Sequence, residues 1–400
     1  MTGTAADVLA RCATLGRISE EPDRLTRRVA TPALVTAGDV VAGWMEEAGM
    51  RTRRDPLGTV VGRYGSGDRP LVLGSHLDTV PNAGTFDGQL GIVAAIAVVE
   101  RLAGGGRQPS SPVEVVAFAD EEGARFGTSF LGSAAYTGAF EADWLELVDG
   151  DGISLKDAVR AAGGDPEAAV AARPPALAGY LEVHIEQGPL LEREGLPVGV
   201  VSAIAGQTRA RIVLTGRAGH AGTLPMDARH DALAAAAEVV LAVERRGRAE
   251  RDLVATVGAL SLSPNVGNVV PGEVRMLLDV RHADDGVRRR AAEEMRAEAA
   301  EVAERRGVDL AWATRYDTPA VALDGTLRGR LSDAVRARGL PTRELASGAG
   351  HDAVVLSQRC PAAMLFVRCA GGVSHDPGES VSEDDVAVAL DVLEHAVRAS

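Results

Sequence analysis

A histidine and a carboxylate joined by a loop able to fold back are the raw material of a metal site. The chain offers this at His76-Leu-Asp78 and Phe86-Asp87-Gly88, with Thr79-Val-Pro-Asn-Ala-Gly-Thr85 between them. Pro, Asn and Gly in that loop permit the return. Asp78 can orient His76 from behind, as metal-bound histidines usually require. The same residues also suit a polar loop in which Asp87 caps the next helix.

A second group is Asp120-Glu121-Glu122-Gly123, directly after the apolar run Val113 to Ala119. Adjacent carboxylates repel one another, and either solvent or a cation must offset that cost. In an extended segment Glu121 and Glu122 point opposite ways, so one can bind metal while the other activates water. A solvated acidic turn is the alternative. Three further groups are His184-Ile-Glu-Gln187, Gly350-His351-Asp352 and Ser374-His375-Asp376. The chain holds 8 histidines, and His76, His184 and His375 each follow an apolar, strand-like run. Imidazole with carboxylate suits zinc, manganese or cobalt. A donor set without thiolates does not fit a structural zinc site. Competing chemistries lack their motifs: there is no G-x-S-x-G elbow, phosphate loop or H-E-x-x-H helix.

These groups need elements to hold them at strand ends. Residues 30–50 read as a helix, with Val40, Val41, Trp44 and Met45 on one side and Gly49 as its stop. Leu71 to His76, Val113 to Ala119 and Tyr180 to His184 read as buried strands, and Leu90 to Leu102 as a helix. Such alternation predicts an α/β layer around a largely buried sheet. Residues 164–179 read as a loop-rich connection. The middle of the chain differs. Arg209 to Thr215 is strand-like, and Met226 to Arg246 is one long Ala-rich helical run. Leu253 to Leu260 and Glu273 to Arg281 are strands, Gly286 to Arg306 is a charged helix, and Val308 to Arg315 is a closing strand. The order β-α-β-β-α-β is that of a ferredoxin-like domain. We therefore expect an inserted domain at 208–325, with 1–207 and 326–400 forming one α/β domain. In the strand 273–281, Arg281 points away from the apolar stripe of Val274, Met276, Leu278 and Val280. That leaves it free to grip a carboxylate, unless it forms a surface salt bridge. His220 lies in a Gly-rich loop, where a structural role is the alternative.

Composition narrows the class. The 400 residues carry 42 basic and 56 acidic side chains, a formal charge of −14, which argues against a nucleic-acid partner. The longest uncharged apolar stretch, Leu90 to Val99, is about half of what a membrane span needs. The first residues lack the pattern of a signal peptide. Cys12, Cys360 and Cys369 form no C-x-x-C motif, and an odd number suggests no disulfide framework. The reducing cytoplasm is the expected compartment.

Taken together, seven segments resemble the dinuclear metal amidohydrolases related to aminoacylases and carboxypeptidase G. They are 74–91 (GSHLDTVPNAGTFDGQLG), 120–133, 181–192 (LEVHIEQGPLLE), 216–233, 267–282, 347–353 and 371–380 (GGVSHDPGES). Within that superfamily the chain is similar to the branch of allantoate amidohydrolase, N-carbamoyl-L-amino-acid hydrolase and β-ureidopropionase. The segments span nearly the whole chain in the family's order. One departure is Leu57-Gly58-Thr59, where relatives often have Gly-Asn.

The resemblance implies a phosphorylase/hydrolase-like, zinc-peptidase type catalytic domain with an inserted ferredoxin-like lid and dimerisation domain. It implies that His76, Asp87 and His184 hold one metal, and that Asp87 bridges to a second held also by Glu122 and His375. The metals would be Zn2+ or Mn2+, with Co2+ or Ni2+ also fitting N/O ligands. Glu121 would act as general base on a metal-bridging water, with His220 assisting the developing oxyanion. Gln187, His220, Asn268, Arg281, Gly350 and His351 would bind a small ureido substrate carrying a carboxylate. Runs 203–209 and 364–369 resemble allantoate amidohydrolases in particular. The expected reaction is hydrolysis of allantoate to ureidoglycine, ammonia and carbon dioxide, a step of purine-nitrogen salvage, in a homodimer. The alternatives are an N-carbamoyl-L-amino-acid hydrolase, a more distant peptidase or deacylase, and a catalytically silent binding protein of this fold.

Overall fold

The structure is a computed structural model that describes residues 3–105, 111–173 and 176–399. The chain forms two compact units. The first comprises Met1–Ser202, Leu323–Leu345 and Ala349–Ser400, and the second Ala203–Ala322 and Ala346–Gly348.

In the first unit a mixed sheet runs in the order Arg51–Arg54, Val60–Tyr64, Val113–Phe118, Leu71–His76, Gly179–Ile185, Ala362–Val367, Val198–Ile204. The four central strands, from Val113–Phe118 to Ala362–Val367, are mutually parallel. Every residue of these four is buried. That is why they read as continuous apolar runs rather than as alternating ones. Helix Gln89–Gly104 is buried along nearly all its length, including Ile92, Val93, Ile96 and Val99. The apolar stretch that it carries is thus a core helix. No helix among the described residues is long and apolar enough to cross a membrane. The helix read at 30–50 runs Pro32–Glu47. Within 164–179 a short helix forms at Pro166–Val170, and residues 174–175 lie outside the described residues. The consequence for function is directional. Parallel strands deliver their carboxyl ends to one edge of the sheet, where open α/β sheets bind ligands.

The second unit is a four-stranded antiparallel sheet in the order Asp309–Thr318, Gly206–Thr215, Glu273–His282, Val254–Ser263. Helices Ala232–Ala249 and Asp285–Arg306 pack on it around Ile212, Leu214, Val239, Met276, Leu278 and Met295. The element order is the β-α-β-β-α-β expected from the pattern. One element differs. The run Met226 to Arg246 is not a single helix: Met226–Ala228 is a one-turn 3-10 segment, and the α-helix starts only at Ala232. Asp231 causes the restart, its carboxylate accepting from the N–H groups of Leu233 and Ala234. A side-chain cap of this kind satisfies the donors that open a helix.

Candidate metal centre

Three of the four central strands contribute directly to one cluster in the first unit. His76 ends its strand, His184 is the penultimate residue of its own, and the acidic run follows Phe118. Asp87 enters through the returning loop. It caps nothing: the residue before helix Gln89–Gly104 is Gly88, and no side chain caps that helix. Gly88 stands at φ +68, and a Cβ there would lie 2.5 Å from the His76 ring. Only glycine admits the ring beside that turn.

Asp87 is the centre of the arrangement. Its Oδ1 lies 3.1 Å from His184 Nε2 and 3.9 Å from His76 Nε2. Its Oδ2 lies 3.1 Å from His375 Nε2, which is 3.3 Å from Glu122 Oε1. One carboxylate therefore faces two histidines with one oxygen and a histidine–glutamate pair with the other. Asp87, His76 and His184 are almost fully buried, whereas His375 is half exposed. His375 also holds a left-handed backbone, φ +57, as does Gln187 at +56. Such conformations in residues with a Cβ persist where the surroundings enforce them.

The ring tautomers are set from behind. His76 Nδ1 lies 3.0 Å from the Asp78 carbonyl, and His184 Nδ1 lies 2.9 Å from the Ile185 carbonyl. A carbonyl only accepts, so both Nδ1 atoms carry hydrogen and each ring turns its Nε2 toward Asp87, the nitrogen a metal would take. Asp78 meets His76 mainly through its backbone carbonyl, with its carboxylate Oδ1 3.6 Å from the same Nδ1. The carboxylate also accepts from the N–H groups of Glu121 and Glu122 at 2.9 and 3.2 Å. Asp78 thus ties the histidine strand to the acidic strand.

The acidic run is no solvated turn. Asp120 and Glu121 are buried and Glu122 nearly so. Burial pushes the carboxyls of Asp78, Asp120, Glu121 and Asp352 well above the usual range, and their mutual repulsion adds to it. Burial alone would also raise Asp87, but hydrogen bonds from His184 and His375 hold it well below. Buried carboxylates at this density are neutralised by protons or by cations. Among the described residues, four sets of three side chains place a ligand atom each within 4.8 Å of one another: His76–Asp87–His184, Asp87–Glu122–His375, His76–Glu121–Glu122 and Glu182–His184–His351. Nitrogen and oxygen donors with fixed lone pairs fit a borderline divalent ion.

Hydrogen bonds with Asp87 and Glu122 raise the His375 imidazole to about 10, and the bond with Asp87 overcomes burial to raise His184 to about 9. The metal-free protein therefore holds protons on both rings at neutral pH. A metal must displace them, so loading releases protons and affinity climbs as pH rises toward these values. Titration calorimetry in buffers of different ionisation heat should give buffer-dependent enthalpies. Identical heats would contradict the assignment.

Two residues that sequence reasoning left without a role support the cluster. Buried Glu379 accepts from the N–H groups of Phe86 and Asp87 at 2.6 and 2.9 Å. Burial raises its carboxyl to about 7. It sits in the segment 371–380, but nothing in its spacing points back to Asp87. Fully buried Arg27 donates to the carbonyls of Leu15, Ile18 and Leu77, gripping the residue between His76 and Asp78. No local pattern marks it.

The expected substrate residues fall in both units. In the first, the Gln187 amide donates to both oxygens of Asp87 at 3.2 Å. Gly350 lies against Phe130, and His351 is buried with its ring edge-on to His184, centroids 4.5 Å apart. In the second, a short ladder pairs His220 with Val269, and the Asn268 carbonyl accepts from Ala221 N–H. His220 Nδ1 accepts from Gly222 N–H at 3.1 Å, which leaves Nε2 as a donor. Arg281 is not free. Its Nε and Nη2 donate to Asp279, and its Nη1 to the Gly348 carbonyl. Asp279 lies two residues away on the same strand face, and it also accepts from Gln207 and Arg209.

The sequence profile of peptidase family M20/M25/M40 matches residues 72–399. Allantoate deiminase 1 of Glycine max is 39% identical over 95% of the chain and 86% of that protein. The N-carbamoyl-L-amino acid amidohydrolase of Geobacillus stearothermophilus is 39% identical over 96% of the chain and 95% of that protein. Among solved structures, a hydantoinase/carbamoylase family amidase from Burkholderia multivorans superposes with a TM-score of 0.93 at 32% identity. That match covers 100% of this chain and 98% of the other.

Proposed function

The chain belongs to peptidase family M20/M25/M40, and on that premise we propose that it hydrolyses a ureido C–N bond of allantoate. The products are ureidoglycine, ammonia and carbon dioxide. The observation that carries this reading is Asp87, whose two oxygens face two separate sets of donors. His76 and His184 would hold one divalent ion, Glu122 and His375 the other, and Asp87 both. Bound there, the ions supply Lewis acidity toward the ureido carbonyl and lower the pKa of water.

The side chains do the proton work. Glu121, buried among other carboxylates, has a raised proton affinity, which suits a group that takes a proton from water and passes it to the departing nitrogen. His220 offers Nε2–H to the developing oxyanion. Gln187 and Asn268 contribute amide hydrogen bonds to the substrate, and Gly350 and His351 line its site. Asp279 fixes the Arg281 plane, so the guanidinium meets a substrate carboxylate in one preset orientation. The second unit serves as a lid and as the surface through which two copies pair.

Allantoate is favoured by the cluster of Gln207, Arg209, Asp279 and Arg281. Its two arginines and one carboxylate suit a small, wholly polar acid. The second reading is an N-carbamoyl-L-amino-acid hydrolase, supported by an equal 39% identity to such an enzyme. Values of kcat/KM for allantoate and for N-carbamoyl-L-amino acids, measured in parallel on manganese-loaded protein, decide between them. Preference for a carbamoyl amino acid would move the substrate and keep the site. Arg281→Ala should raise KM by about tenfold or more with a smaller change in kcat, as for a lost charge-assisted hydrogen bond. An unchanged KM would remove the carboxylate clamp.

A further inference from the structure

We propose that Phe130 is the apolar wall of the reaction pocket, its ring holding the planar ureido group beside Glu121 and keeping bulk water off that side. This deepens the reading above and rests on it.

The backbone marks the residue first. Phe130 stands at φ +69 and ψ +23, immediately before helix Leu131–Thr137. A bulky aromatic is an outlier in that region. Nor does it cap the helix, since no side chain does, where Ser, Thr, Asp or Asn would satisfy a donor. Local preference thus disfavours phenylalanine here, and strain of this kind points to a use for the side chain.

The fold holds the residue from both sides. Its N–H donates to the Glu121 carbonyl at 3.1 Å, and the N–H of Gly132 donates to the Asp120 carbonyl at 3.1 Å. Leu131 between them is completely buried. The backbone that places Glu121 therefore also aims the Phe130 ring.

The tip of the ring reaches Gly350, on the side of the base. A Cβ on Gly350 would lie 2.8 Å from Phe130 Cζ and 3.8 Å from Glu121 Oε1. Ring and base both approach the one spot beside Gly350, and only a glycine admits the ring there. The next residue, His351, packs on His184, so the spot adjoins the histidine side of the cluster. Phe130 itself stays half buried. An aromatic face against a planar amide-like group, with a few polar groups opposite, is a common way to bind a small ligand.

The test compares Phe130→Ala, Phe130→Gly and Phe130→Leu in the full-length, metal-loaded protein. Alanine removes the ring but keeps a Cβ in the left-handed region, whereas glycine removes both ring and conflict. The glycine variant should therefore melt at a higher temperature than the alanine variant. Both should keep two metals per chain and lose about tenfold or more in ureido kcat/KM, as a misplaced reacting group does. Leucine should recover part of that loss. Recovery of activity in the glycine variant would mean that the ring only stabilises the fold, and would overturn the proposal. So would full activity in the alanine variant. A second readout needs no turnover: carbodiimide labelling of Glu121 in the metal-free protein, mapped by mass spectrometry. Phe130→Ala should label several-fold faster than the parent, and an unchanged rate would overturn the proposal. If the parent hydrolyses no ureido compound, the functional reading falls, and the labelling still decides the role of the ring.

Discussion

Glu121→Gln should lower the rate of ureido hydrolysis by about 10²–10⁴-fold, the range supplied by a positioned general base, while two metal ions remain bound. The substitution keeps the size and the hydrogen-bonding carbonyl of the side chain and removes only its capacity to take a proton. Its surroundings tolerate the change. Glu121 is buried against Glu122, Asp352 and Asp78, whose charges already favour its neutral form. A neutral amide therefore adds no charge to the cluster, and the metal-free variant should melt no lower than the parent. Backbone placement should also persist, because Asp78 accepts from the N–H groups of residues 121 and 122, which the substitution leaves in place. Steady-state ammonia release, read beside metal content, checks both halves. Activity within tenfold of the parent would remove Glu121 from the role of base.

Asp87→Ala should cost both metals and, with them, all measurable turnover. Its two oxygens face different partners, His76 and His184 on one side and His375 and Glu122 on the other. The nearby Glu379 does not replace it, because its Oε1 is held by the N–H groups of Phe86 and Asp87. Loss of the shared ligand also deprives His184 and His375 of a partner that raises their proton affinity, with Glu122 still beside His375. Metal content after gel filtration should drop below one ion per chain, with circular dichroism unchanged. Retention of two ions would show that Asp87 does not join the two halves of the site.

The parts of this architecture that could be read from the chain share a physical reason. Strands buried on both faces leave unbroken apolar runs, and a parallel sheet sends the residues after those runs to one edge. His76, the Asp120–Glu122 run and His184 were legible as one cluster for that reason. The ferredoxin-like unit was legible because its strands alternate and its helices are long. What stayed hidden depends on contacts distant in sequence or on single dihedral angles. Arg27 grips Leu77 across fifty residues, and Glu379 reaches Phe86 and Asp87 across nearly three hundred. No local periodicity encodes either. The left-handed turn at Phe130 breaks the preference of its own residue type. One misreading and one open alternative had signals available. Asp231 before the apolar face of its helix marks a start, so one helix from 226 was too long. Asp279, two residues before Arg281 on an alternating strand, shares its face and engages it.

On the proposed function, two divalent ions shared through Asp87 would make this chain a ureido hydrolase. The most direct test is a titration of the chelated, metal-free protein with manganese while ammonia release from allantoate is followed. We expect no release at the start and a rise that levels off at two equivalents per chain. Release that persists through complete chelation, or that is absent toward allantoate and N-carbamoyl-L-amino acids alike with two ions bound, would contradict the claim.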